Sequence, residues 1–521
     1  MVKNNLLAAV GDSSVRFRAG IRGVRSLAWA LYSCSGENSR IKSTRGKTAG
    51  HVLAFSLGCF LFFAAFPARL FASDTIAATT HCDPRAEAPA YYRAEEDCRS
   101  LGRYSPQGVQ RSGLQRLKYL PISASGKVSL TFGAELRWRH EYYDPPRFGL
   151  QGGHPFSADE ERFLADADLR GQWFRFFIQI DTASESGWPQ ARPFDHSAPD
   201  LSQGFFELSP LRDQFSVRIG RQELDLPGNR LVGVNDPAGI RRAFDGLNAV
   251  FRLGATTFDA FDLQPVLNQP GAFDDTAQPG EHFAGLNVHH VWVYAIVSTI
   301  DVFIFRRERQ TTFVAAADGQ DRRDTWGTRL AGQLLGVNYS TQLDVQRGSV
   351  GAQAVRAKGS TLEMDRVWND LPGNPTVLIS AARASGDRNA TDGMVGSFDP
   401  LYPNLSYSTD AGYLLPSNIE DVSTSLALKP SSWLSLQSGL YRAWRVSRAD
   451  AVYQPPGYVL IPPGIGGAGR IADLPFATAS AHISRYCEFS ISAVRLIAGP
   501  VIKASGGRNA NYVLTQSIFR F

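Results

Sequence analysis

Residues 128–143 read VSLTFGAELRWRHEYY, and they alternate. Val128, Leu130, Phe132, Ala134, Leu136 and Trp138 share one parity; Ser129, Thr131, Gly133, Glu135, Arg137, Arg139 and Glu141 share the other. Successive side chains of a strand point to opposite faces, so this is a strand with one apolar and one charged face. It runs for about fourteen residues, whereas strands of globular proteins usually have about five or six. A β-strand that crosses a bilayer needs about 9–11 residues. Arginine on the lipid side of such a strand costs roughly 2–4 kcal/mol near the midplane, so the charged face must look into a lumen.

The pattern recurs. In WFRFFIQID (173–181), Phe174, Phe176, Ile178 and Ile180 oppose Arg175, Gln179 and Asp181. Segments 246–253, 338–346, 422–429 and 433–441 behave alike. Aromatic residues make up 11% of the chain, Gly is abundant (48) and Met scarce (3), and long helix-forming runs are missing. The reading is all-β. About eighteen strands are expected, the second, fourth, tenth and sixteenth beginning near Glu161, Gln203, Thr328 and Phe476. Backbone groups in lipid must all be paired, and strands achieve that only in a closed barrel. The expected fold is therefore a transmembrane antiparallel β-barrel, with long polar connections near 184–201, 264–283, 386–418 and 443–474. An even strand count suits a bacterial outer-membrane barrel.

The N-terminal segment fits export. Arg45 and Lys47 precede the apolar run VLAFSLGCFLFFAAF (52–66), followed by Pro67 and small residues at Ala72 and Ser73. That is a positive region, an apolar core and a cleavage region, the layout of a secretory signal; the run is short for a helical span of about 20 residues. The chain divides into an extension and signal (1–73), a periplasmic lead-in or plug-like segment (74–126) and a barrel (127–521). The formal charge of +5 misleads, because residues 1–73 hold ten Lys and Arg against Asp12 and Glu37; without them 44 basic and 47 acidic residues leave −3. A basic surface for nucleic acid is not indicated. Cys82 and Cys98 can close a loop disulfide in an oxidising compartment. The chain ends on Phe521, a terminal aromatic of the kind that barrel assembly machinery reads.

Enzymatic signals are weak. No HExxH, GxSxG, phosphate-binding loop or dinucleotide fingerprint occurs, and the histidines are scattered. No cofactor or metal is expected. The informative charges are those opposite apolar faces: Glu135, Arg137, Arg139, Glu141, Arg175, Asp181, Arg218 and Arg252. They stiffen a lumen through salt bridges, or they line a path where arginine attracts anions.

Several motifs carry a family resemblance. GRQEL (220–224), GNRLVG (228–233), RRAFDG (241–246), GAELRWRHEYYD (133–144), RASGD (383–387), FDPLYPN (398–404) and the ending LIAGPVIKASGGRNANYVLTQSIFRF (496–521) resemble the alginate export family of outer-membrane proteins. The resemblance implies an eighteen-stranded barrel whose electropositive lumen passes an anionic polysaccharide. Alginate carries a carboxylate on every sugar, and guanidinium groups hold carboxylates bidentately. Arg137, Arg139, Arg218, Arg221, Arg230, Arg241 and Arg242 are the motif arginines, with Glu223 and Asp245 as pairing acids. Arg221 falls on the apolar parity and is expected beyond the membrane band. The implied partners are outer-membrane lipid, an anionic saccharide or small anion, the assembly machinery and periplasmic export partners, with a monomeric barrel. The alternative is a substrate-specific porin for uptake of small organic acids or aromatics; a barrel enzyme and a plugged adhesive barrel are the readings from other classes.

Overall fold

In the computed structural model, residues 113–521 are described except 190–194, 212–213, 227–229, 293–295, 405–408 and 468. The signal segment, Cys82, Cys98 and most of the lead-in lie outside the described residues.

Eighteen strands form one closed antiparallel wall. They are β1 (Ser129–Asp144), β2 (Phe156–Arg170), β3 (Phe174–Ser186), β4 (Ser197–Leu208), β5 (Phe215–Gln222) and β6 (Phe244–Leu253). Then come β7 (Thr256–Leu267), β8 (His282–Val291), β9 (Thr299–Arg309), β10 (Asp321–Leu334), β11 (Val337–Val350) and β12 (Gln353–Val367). The circle ends with β13 (Thr376–Ala384), β14 (Ile419–Ser431), β15 (Leu434–Arg445), β16 (Gly469–His482), β17 (Cys487–Ala498) and β18 (Ala510–Arg520). The seam runs from Glu135↔Arg520 to Asp144↔Asn511. Phe521 extends it, exchanging backbone hydrogen bonds of 3.1 and 3.2 Å with Ala134. The closed circle leaves no edge strand in the hydrocarbon, which is what lipid demands.

Lipid also accounts for the alternation. Leu136, Phe163, Phe176, Ile219, Val302 and Leu343 are exposed on the outer parity, while Glu135, Arg162, Arg175 and Gln179 on the inner parity are buried. Trp173, Trp292 and Trp433 stand exposed by the short turns, and Trp138 and Trp326 stand higher on the wall. They mark two aromatic belts around an apolar band. The start of β1, the end of β18 and the tight turns after β2, β6, β10 and β14 share one rim, the periplasmic side of such barrels.

The strand number expected from the sequence holds, but four strands start about five to seven residues earlier than expected. They begin at Phe156, Ser197, Asp321 and Gly469 rather than near Glu161, Gln203, Thr328 and Phe476. The added residues rise beyond the lipid band, where the outer face meets water and no longer needs apolar side chains; Asp159, Arg322 and Asp324 lie there. β4 and β16 are also irregular, with register shifts near Gln179/Ile180 and Ala443/Trp444 that break the alternation.

Two glycines stand where β5 and β6 hand over to their connection. Gly220 and Gly246 face each other in register. Their φ angles are 124° and 148°, and an added Cβ would meet the backbone oxygens of Gly204 at 2.3 Å and Asp262 at 2.2 Å. Only glycine fits at both positions. The connection beyond them is residues 223–243, which fold inwards.

A charge at the centre of the outer face tests the lipid assignment. Leu343→Arg, at the middle of β11, should lower stability in bilayers by about 2–4 kcal/mol in denaturant unfolding, while Leu343→Phe should leave it nearly unchanged.

Candidate functional site

The inner wall of β1 and β2 carries arginines and acids in alternation, and the tip of the 223–243 segment docks on them. Arg137 donates to the carbonyls of Asp236 and Ala238, each at 2.6 Å, and to Glu160 Oε1 at 2.6 Å. Arg139 donates to the Pro237 carbonyl and to Glu141 Oε1 at 2.7 Å. Arg162 reaches the carbonyls of Asp236 at 2.9 Å and Ala238 at 3.1 Å, and its Nε binds Glu135 Oε1 at 2.9 Å. Three guanidinium groups thus hold three successive carbonyls. Acids behind them fix the forks: Glu141 accepts from Tyr512 at 2.9 Å and Tyr143 at 3.1 Å, and Glu135 accepts from Arg520 at 2.8 Å. Arginine suits this task because its planar fork presents several donors in fixed directions.

A second inward segment, residues 385–418, is held in the same manner. Arg307 donates to the Leu401 carbonyl at 2.8 Å and its Nε to Glu281 at 2.8 Å. Arg309 binds Asp399 at 2.8 Å, and Arg323 donates to the Ser397 carbonyl at 2.7 Å. Gln346 closes the set, donating to the Asp399 carbonyl at 2.7 Å and accepting from its amide at 2.9 Å.

The two segments meet. Gly233 N–H donates to Tyr402 O at 3.0 Å, Tyr402 N–H to Leu231 O at 2.8 Å, and Asn235 N–H to Asn404 Oδ1 at 2.7 Å. Leu224, Leu231, Val232, Phe398, Leu401 and Tyr402 are buried in one apolar cluster with Phe244, Phe283 and Phe305 from the wall. Arg242 sits at the junction, donating to the carbonyls of Gly233 and Tyr402 at 2.6 Å each and to Pro403 at 3.3 Å. Its hydrogen bonds are to carbonyls, which satisfy a guanidinium without cancelling its charge. Burial lowers its pKa to about 10, and Arg307 adds to the fall; it is still a cation at neutral pH.

The remaining predicted residues are placed as follows. Arg241 binds Glu223 at 2.7 Å, both buried, and Arg230 reaches across to Glu363 of β12. Nearer the periplasmic rim, Arg175 pairs with Asp168 at 2.9 and 3.0 Å and Arg218 with Glu207 at 2.8 and 3.1 Å. Arg218 also stacks over Phe205 at 4.2 Å. Asp181 is buried on the inner parity of β3 opposite Asp200, and Arg252 lies near the end of β6 on the parity of Asn248. Arg221 shares the parity of exposed Ile219 and pairs with Asp245 at 2.8 and 3.1 Å, away from the docked loop tip. Sequence reasoning missed Arg162, Arg307, Arg309, Arg323, Asp399 and Tyr402. Arg162 was within reach: it stands on the inner parity of β2, one residue past the start near Glu161 expected from the sequence, where too little of the alternation precedes it to mark its face.

One acidic group has metal-like geometry. Carboxylate oxygens of Asp200, Asp274 and Asp275 lie within 4.8 Å of one another. They already accept loop amides: Asp200 Oδ2 takes those of Asp274 (2.8 Å) and Asp275 (3.2 Å), and Asp275 Oδ1 takes that of Gln269 (2.6 Å). The cluster reads as a loop clasp.

A closed eighteen-stranded barrel with lipid-facing apolar bands and loops folded into a charged lumen defines an outer-membrane channel protein. The alginate export family model matches residues 128–516, nearly the whole barrel, and the chain belongs to that family. No curated protein matches the chain. Among solved structures it is similar to OccK9 (OpdG) of Pseudomonas aeruginosa, with 11% identity, 75% of this chain and 98% of that chain covered and a TM-score of 0.52. It is likewise similar to a BenF-like porin from Pseudomonas fluorescens Pf-5, with 10% identity, 75% and 99% covered and a TM-score of 0.51. At such identities the likeness concerns the fold.

The clamp makes a prediction. Arg137→Ala with Arg162→Ala leaves the carbonyls of Asp236 and Ala238 short of donors, each charge-assisted bond lost costing about 1.5–3 kcal/mol. Limited proteolysis should then cut within 223–243 at least about tenfold faster than in the wild type. Lys at both positions should restore little, because an ammonium cannot span two carbonyls with a rigid fork.

Proposed function

We propose that this outer-membrane channel passes an anionic saccharide through a lumen narrowed by the two docked segments. Arg242 is the contact that favours anions. The observation that supports this reading is its position, at the meeting point of both segments with carbonyl acceptors around it. In contrast, Arg137, Arg139, Arg175, Arg218 and Arg241 each have a carboxylate beside them. They chiefly hold the loops and wall in place, while Glu135, Glu141 and Glu223 balance them. A path for a polymer needs shallow, distributed attraction, since deep binding would stall it. Arg242, half-buried and bonded to carbonyls among arginines that carboxylates neutralise, supplies a weak attraction of that kind.

The chain reaches the membrane by export. Residues 1–73 act as extension and signal, with cleavage near Ala72, and Phe521 engages the assembly machinery from the closing strand. The barrel conducts as a monomer and its transport step uses no cofactor. Residues 74–126 serve a periplasmic lead-in, where Cys82 and Cys98 form a disulfide. N-terminal sequencing of protein recovered from outer membranes should begin close to residue 73; a start near residue 1 contradicts the signal assignment.

The second reading is a porin for small organic acids. Planar-bilayer recordings on purified protein separate the two. An oligomeric uronate should block the current at concentrations where monomeric uronate does not, and Arg242→Gln should cut anion-over-cation selectivity several-fold. Equal block by monomer and oligomer favours the small-acid porin, and selectivity unchanged in Arg242→Gln removes that residue from the path.

A further inference from the structure

The outer face of β9–β12 carries charge just above the lipid band. Arg306, Asp324, Arg347 and Arg356 form one row of register neighbours across the four strands. Lys358 stands beside Val345, one step lower, and Arg322 beside Glu308, one step higher. All have the parity of the exposed apolar residues Val302, Ile304, Trp326, Leu343 and Val345. Arg347 lies ten residues along β11 from Val337. At about 3.3 Å per residue and a tilt near 40°, it stands roughly 25 Å above the periplasmic edge, the height of the apolar band. The row therefore meets the membrane where the outer-leaflet headgroups lie.

The charges do not balance. Arg306 pairs with Asp324 at 2.7 Å and Arg322 with Glu308 at 3.7 Å. Arg347, Arg356 and Lys358 are exposed and have no carboxylate partner among the described residues. Five cations against two acids leave +3 on this sector. Arg347 and Arg356 are moreover direct cross-strand neighbours, a like-charge juxtaposition that is destabilising unless an anion lies between them. Elsewhere on the outer wall cations stand beside carboxylates: His140 meets Asp159 at 2.9 Å and Arg442 meets Asp473 at 2.6 Å, whereas Arg495 has the neutral Asn511 at 2.5 Å.

We propose that Arg347, Arg356 and Lys358 form a binding site on the outer wall for the phosphate-bearing headgroup of an outer-leaflet lipid. The two guanidinium groups clasp one phosphate between them, and the Lys358 stem lies along the upper apolar band with its ammonium turned to the headgroup. The acyl chains then lie against Trp326, Leu343 and Val345. Basic clusters at a membrane surface recruit anionic headgroups in this way. The site is independent of the lumen and of what passes through it.

Native mass spectrometry of the full barrel in detergent, titrated with bis-phosphorylated lipid A, tests the proposal. The wild type should retain the lipid, and dephosphorylated lipid A should bind at least about tenfold more weakly. The triple variant R347Q/R356Q/K358Q should lose at least about tenfold in affinity, whereas R442Q should bind as the wild type does. Heat-modifiable migration on gels shows whether the triple variant is folded; the comparison of the two lipids on wild-type protein stands without it. Equal binding of the two lipids, or wild-type affinity in the folded triple variant, overturns the proposal. So does complete displacement of the lipid by inorganic phosphate at the same concentration, which would mark a site for the free anion.

Discussion

Backbone that leaves a sheet and enters a barrel loses its ladder partners, and its amides and carbonyls must be satisfied again. Here arginine side chains on the wall supply the missing donors. Arg137, Arg139 and Arg162 take the carbonyls of residues 236–238, and Arg307 and Arg323 take those of Leu401 and Ser397. The rest follows from that requirement. Wall acids such as Glu135, Glu141 and Glu160 keep each fork aimed, and the held segments bring Leu231, Val232, Phe398 and Tyr402 together as an apolar core inside a membrane barrel. The channel's interior is thus built in the manner of a soluble protein, inside a shell solvated by lipid.

Two solvents leave two kinds of record in the sequence. Lipid acts on every second residue of every strand, so Leu130 to Trp138 and Phe174 to Ile180 announce their faces without any knowledge of neighbours. That is why the strand number and the closed barrel could be read directly. Beyond the band the constraint lapses, and the early portions of β2 and β10 carry Asp159, Arg322 and Asp324 on their outer parity. The lumen leaves a weaker record because its contacts are distant: Arg137 meets Asp236 across 99 residues, and Arg242 meets Tyr402 across 160. Parity says that Arg137 looks inward, but not that it holds a carbonyl. The motifs RRAFDG and FDPLYPN mark two segments that belong together, and only the folded chain shows them bonded at Gly233 and Tyr402.

The stretch from Arg218 to Gly246 shows how one motif serves several ends. Arg218 braces the wall through Glu207, Arg221 pairs with Asp245 on the parity of the outer face, and Gly220 and Gly246 let the neighbouring backbones approach closely. Arg241 locks the loop to Glu223, and Arg242 joins it to the second segment. A dense mixture of charges between apolar strands is therefore mostly a fastening, and Arg242 is the cation in it whose hydrogen bonds among the described residues go to carbonyls alone.

The central claim is that the docked 223–243 segment restricts the lumen. Single-channel conductance of a barrel in which residues 229–240 are replaced by a short Gly-Ser link tests it most directly. The account predicts a steady conductance several-fold above that of the full chain. A conductance equal to the full chain's, in a variant shown to be folded, would contradict it.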